Sequence, residues 1–191
     1  MANQGRLVLA NAGSGNAPTL QFGSGSGTNA AQTGGSGNAT VSGGGVINGG
    51  STTSVIQIGG NGDTGTLTVN GGSVQAGTIK LGNTTTITGT TYTGSGTLSI
   101  GTGGLVGALS TTGASVVIGQ NAGSAGTVLV NGGTLISGNQ IIVGNQSLAT
   151  GLLTIGSAGS VQINAAGLTV GQAVGATGTV QVNGGTLTET G

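Results

Sequence analysis

A repeat constrains this chain more than any other feature. The stretch "GTVLVNGGTL" at Gly126–Leu135 returns as "GTVQVNGGTL" at Gly178–Leu187, and "GTLTVNGGSV" at Gly65–Val74 is a third version. Asn-Gly between apolar runs ordinarily signals a β-hairpin, because both residues tolerate positive φ. The same pair can also turn a corner in a coil whose strands all run one way. The surrounding residues decide between the two. An aliphatic residue followed by Gly recurs at Ile58, Leu81, Ile118, Val143 and Val170, and a second aliphatic anchor follows at Val69, Ile100, Val130, Ile155 and Val182. The underlying period is about 25 residues, which places the chain among repeat architectures. One unit is longer, and the insertion "TTTITGTTYT" at Thr84–Thr93 accounts for it.

Aligned on these anchors, the units alternate as strands do. Ile56, Ile79, Val116, Ile141 and Leu168 form one inward column, and Leu67, Leu98, Val128, Leu153 and Val180 form another. A third short strand follows the glycine pair, with Val74, Leu105, Leu135, Val161 and Leu187 expected inward. Such a unit cannot bury its apolar face alone but can do so against copies of itself. A meander of hairpins would not keep like residues in one column. The reading is therefore all-β: a parallel β-solenoid, three-sided, with rungs of about 25 residues. Asn70-Gly71-Gly72, Asn131-Gly132-Gly133 and Asn183-Gly184-Gly185 are its corners, and their amides could form a ladder interrupted by Gly101 and Gly156. Residues 55–191 carry the regular repeat. Residues 1–54 match it less well and read as irregular rungs that serve as a cap or an arm. About seven rungs at ~4.8 Å each would give a short rod.

Composition now limits function. The chain has 191 residues with 47 Gly, and its only charged side chains are Arg6, Asp63, Lys80 and Glu189. Two cations cannot neutralise a phosphate backbone, which argues against nucleic-acid binding. No apolar run approaches the ~20 residues that a spanning helix needs. Polysaccharide-cleaving β-helices need paired carboxylates or a metal with a base, whereas Asp63 and Glu189 are far apart in the repeat and there is no His. The expectation is a non-catalytic protein without cofactor or metal. "GGNGDTG" at Gly59–Gly65 approaches a calcium-binding repeat, but Thr64 stands where Asp is needed and one carboxylate makes a poor cage.

Units such as "SVVIGQNAGSAGTVLVNGGTLISGN" at Ser115–Asn139 resemble the β-strand repeats of bacterial autotransporter passengers and of PEP-CTERM-type surface proteins. The resemblance covers roughly Val55–Gly191 and implies a right-handed parallel β-helix displayed or secreted by bacteria, often in adhesion or biofilm settings. The family's outer-membrane barrel and export signal are not recognisable here, so a fragment and a small protein secreted by another route, such as a type I exporter, both stay open.

The main expectation is a secreted β-solenoid that stacks on itself, head to tail, into extracellular filaments of a matrix or cell-surface fibre. The final rung, with Val180, Val182 and Leu187, is the candidate stacking surface, since open strand edges and near-zero net charge favour association. Tyr92 in the insertion is a candidate for lateral contacts or for a cell-surface or matrix polysaccharide, and outward Val117, Leu129 and Ile142 are candidates for lateral contacts. The alternative is the passenger fragment of an autotransporter-like adhesin. An ice-binding solenoid is a minor alternative: Thr66-Leu67-Thr68 begins a Thr file that Leu129 and Leu152 break.

Overall fold

A computed structural model describes residues 6–8, 19–24, 35–87 and 89–191. They form three parallel sheets that wind around one aliphatic core, with no helix among the described residues. The first face holds β2 (Thr19–Ser24), β5 (Val55–Gly60), β8 (Thr78–Leu81), β13 (Ala114–Ile118), β16 (Gln140–Val143) and β19 (Leu168–Val170). The second face holds β3 (Ser36–Ser42), β6 (Thr64–Asn70), β11 (Ser95–Ile100), β14 (Ala125–Val130), β17 (Thr150–Ile155) and β20 (Thr177–Val182). The third holds β1 (Arg6–Val8), β4 (Val46–Asn48), β7 (Ser73–Ala76), β12 (Leu105–Ala108), β15 (Thr134–Ser137), β18 (Ser160–Ile163) and β21 (Thr186–Glu189). The chain visits the faces in that order, so each strand pairs with its equivalents one turn before and after. The fold is a three-sided β-solenoid, in which Asn-Gly-Gly turns a corner rather than a hairpin. Described parts of the irregular 1–54 region continue the same sheets: β2, β3 and β4 make one full turn, in register with β5, β6 and β7.

Register explains the core. Ile56, Ile79, Val116 and Ile141 stand opposite one another, as do Leu67, Leu98, Val128 and Leu153, and all are fully buried. Like side chains stacked turn on turn fill a narrow interior without aromatic residues, and Phe22 only flanks it.

The corners differ in kind. Between the first and second faces the backbones nearly touch. Gly119 has φ of 72°, and a Cβ on Gly126 would overlap the Gly119 amide nitrogen, so both positions need glycine. Between the second and third faces, corners of three and four residues alternate. Asn70-Gly71-Gly72 is followed one turn later by Gly101–Gly104, then by Asn131-Gly132-Gly133, Gly156–Gly159 and Asn183-Gly184-Gly185.

That alternation corrects one expectation. The extra corner residue before β12 moves Leu105 opposite Ser73, on the outer surface, where it is 43% exposed; Val106 stands opposite Val74 and is fully buried. A slip of one residue exchanges the two sides of a strand.

Candidate assembly surfaces

Among the described residues, β19 and β20 each have a partner strand on one side only. The inward columns run unbroken until the last turn and then lose their cover. Val170 is 46% exposed, whereas Val143 and Ile118 in the same column are fully buried. Val182 is 49% exposed above a fully buried Ile155. Val180, Leu168 and Leu187 pack on the core but are only partly buried. The predicted end residues Val180, Val182 and Leu187 thus share one terminal surface, and Val170 and Leu168 belong to it too. The same anchor columns contain these last two residues, so the sequence carried the signal.

The outward positions give a mixed result. On the first face, Val117 and Ile142 are adjacent in register but each is only 5% exposed, so they offer almost no surface to a partner. Neighbouring rungs lie ~4.8 Å apart, so each side chain covers the flank of the next. Lys80 and Thr169 close the two ends of this pair, and the Gln140 amide reaches past Ile142 to donate to the Thr169 hydroxyl at 2.8 Å. The expected apolar strip is therefore covered. Leu129 lies elsewhere, on the second face, and is half-buried between Ser99 and Thr154. That face carries files of Thr and Ser, including Thr66, Thr97 and Thr127, which Leu152 interrupts as the sequence indicated.

The insertion forms an antiparallel hairpin, β9 (Thr84–Ile87) with β10 (Thr90–Thr93), that pairs with no other strand among the described residues. Tyr92 is partly buried opposite Thr85. The hairpin base is anchored to the next turn, where the Thr84 hydroxyl donates to the Ala122 carbonyl at 2.9 Å and the Asn121 amide donates to Asn83 Oδ1.

The corner amides behave differently at different corners. Asn121 and Asn83 pair amide to amide, and Asn145 instead donates to the Gln120 carbonyl at 2.9 Å. At the other corner the predicted interruption has a steric basis: a Cβ on Gly101 would overlap Asn70 Oδ1, and one on Gly156 would overlap Asn131 Oδ1. Each Asn side chain occupies the space that the glycine beside it leaves open.

Two features escaped the sequence reading. Ser54, Ser115 and Ser137 are fully buried at the third corner. The Ser115 and Ser137 hydroxyls bond each other, and the Gly77 amide donates to Ser54 Oγ at 2.8 Å. The other is a depression on the outer third face, floored by Gly107 and rimmed by Leu105, Leu109 and Ile136. Its only sequence signal is the long corner that turns Leu105 outward.

Asp63 is 2% exposed and accepts the Gly35 amide at 2.8 Å, which makes it a tie between turns. No cluster of three His, Cys, Asp or Glu exists among the described residues, and no helix there is long and apolar enough to cross a membrane. No family model, curated protein or solved structure matches this chain.

Proposed function

We propose that this chain is a secreted, non-catalytic structural β-solenoid whose copies stack end to end into extracellular filaments. The observation that carries the reading is the open edge of the β19 and β20 turn. The outer edges of β19 and β20 have no partner strand among the described residues, and their inward columns end in half-exposed Val170 and Val182. The first described turn offers matching positions: Leu20 and Phe22 share the columns of Leu168 and Val170, and Ala39 and Val41 share those of Val180 and Val182. A surface complementary to the opposite end of the same molecule is a heterologous contact, and heterologous contacts propagate. Extracellular placement and a matrix role follow from this reading and from the resemblance to bacterial surface repeats. Negative-stain electron microscopy across a concentration series, with fibre diffraction, tests it. Uniform filaments with an axial reflection near ~4.8 Å are expected, and short monodisperse rods at every concentration would sink it.

One observation favours a second reading, the passenger of a surface adhesin. The β9–β10 hairpin forms its own two-stranded sheet beside the coil and carries the chain's single Tyr. Glycan-array binding that is lost in Tyr92→Ala, by a protein that never forms filaments, would shift the reading to adhesion.

A further inference from the structure

The corner between the first and second faces repeats one turn geometry on successive turns, with one exception in its residues. The Ser124, Ala149 and Ala176 amides close it by donating to the Asn121, Gln146 and Ala173 carbonyls. The residue before each of these amides has a positive φ: Gly123 at 72°, Leu148 at 59° and Gly175 at 77°. Glycine takes that conformation without a Cβ clash, whereas a bulky side chain there is strained. Leu148 gains little in return within the molecule. It is 71% exposed, although described turns lie on both sides of it, and Val174 in the next turn is exposed as well. Backbone strain held at an exposed aliphatic residue points to a contact outside the molecule.

The third face carries the complementary shape. One of its outward columns runs through Asn48, Gln75, Gly107, Ile136 and Gln162, and of these five only Gly107 has no side chain. The depression over Gly107 has a volume of about 200 Å³, with Leu105 and Leu109 at its sides and no charged residue in its lining. A Cβ built on Gly107 would meet nothing closer than 3.8 Å. One aliphatic side chain fits such a space, since a cavity of ~150 Å³ holds benzene. We propose that this hollow receives Leu148 of a second copy of this chain. In a three-sided coil the corner between the first and second faces lies opposite the third face. Each molecule therefore offers its corner to one neighbour and its third face to another, a heterologous contact that propagates sideways. The Gln146–Ala149 turn is uncharged, like the hollow, so the contact desolvates no ion. The β9–β10 hairpin occupies the same corner two turns earlier, so the coils cross at an angle and the contact is small and weak. Such lateral links join single molecules or filaments alike and do not rest on end-to-end stacking.

Two substitutions remove the contact and keep the fold. Leu148→Gly takes away the side chain together with its strain, and Gly107→Leu fills the hollow from within. Both should melt close to the unsubstituted chain or above it. Cross-linking reads the contact itself, because the chain has no native Cys. Full-length Gln75→Cys, at the rim of the hollow, is mixed with full-length Ser147→Cys, beside the docking residue, and treated with a short bis-maleimide. The mixture should form a dimer that neither variant forms alone. Adding Leu148→Gly to the Ser147→Cys partner should weaken that dimer roughly tenfold or more, the loss expected for one buried Leu side chain. Gly107→Leu in the Gln75→Cys partner should act in the same way. Equal cross-linking in the mixture and in the separate variants would overturn the proposal, as would a dimer that survives either substitution. A clearly lower melting temperature for Leu148→Gly would overturn it too, because Leu148 would then serve the fold itself. If no dimer forms and phosphatidylcholine vesicles co-sediment with the unsubstituted chain but not with Leu148→Gly, the corner meets a lipid surface and the proposal is wrong. None of these outcomes depends on whether filaments form, so the stacking reading stands or falls separately.

Discussion

At the scale of single residues, the glycines divide into those enclosed by neighbours and those with space. Gly101 is enclosed by one side chain, the Asn70 amide with Oδ1 nearest, rather than by backbone. We predict that Gly101→Ala lowers stability by roughly 1–3 kcal/mol, a typical cost of overpacking. The same change in an Asn70→Ala background should cost much less, because the obstructing amide is gone. Denaturant unfolding of the four proteins in this cycle measures the coupling, and purely additive costs would refute the steric account. Gly107 is the opposite case: an added Cβ would meet only Leu109 and Gln75 side-chain atoms at 3.8 and 3.9 Å, and its φ is not in the left-handed region. Gly107→Ala should therefore raise stability by about 0.4–1 kcal/mol through a less flexible unfolded chain. Asp63→Ala should be destabilising by about 1–3 kcal/mol, because it removes the buried carboxylate that accepts the Gly35 amide across two turns. Retention of wild-type stability would show that water replaces the carboxylate there.

At the scale of elements, what the sequence made legible followed from period and spacing. Anchors such as Ile58 and Val69 located two faces and the inward columns, because stacked strands require like residues at like positions. The third face was legible as a strand but not in register, since one extra residue at Gly101–Gly104 turned Leu105 out and Val106 in. The lateral strip at Val117 and Ile142 was misread because a sequence assigns a side of the strand but not what neighbouring side chains cover. The third corner varies in length, from Gly77 alone between β7 and β8 to the run Gly49–Ser54 between β4 and β5, and its buried Ser cluster has no periodic signature. The insertion was legible as an excursion, and its geometry yields a prediction. The Gly94 amide donates to the Asn83 carbonyl at 2.7 Å, so the hairpin leaves and rejoins the coil at one point. The preceding turn spans the equivalent corner with Asn61-Gly62 and Asp63, while Leu81 and Ser95 remain opposite Ile58 and Thr64. Replacing Thr84–Thr93 with Asn-Gly should preserve the β-sheet circular dichroism and shift the melting temperature only slightly. Loss of cooperative unfolding would mean that the hairpin is part of the fold.

At the scale of the whole molecule, stability and assembly draw on the same nearest-turn contacts. In a solenoid each turn is held by its two neighbours, so a terminal turn has half the contacts and a new copy supplies the other half. This makes growth sensitive to residues that matter little within one molecule. Val182 is 49% exposed in the single molecule, yet its column continues through Ile155 and Val130, so a stacked copy would bury it. Val182→Lys should leave the folded monomer close to wild type, because the charged end of the side chain can reach solvent. At a junction the same ammonium would be enclosed without a partner. A Val182→Lys molecule can still add to a growing filament through its own N-terminal turns, but nothing can then add to it. Small fractions of the variant should therefore shorten wild-type filaments in proportion to the fraction added, as electron micrographs would record. Unchanged lengths at equal parts variant and wild type would mean that growth does not use this end.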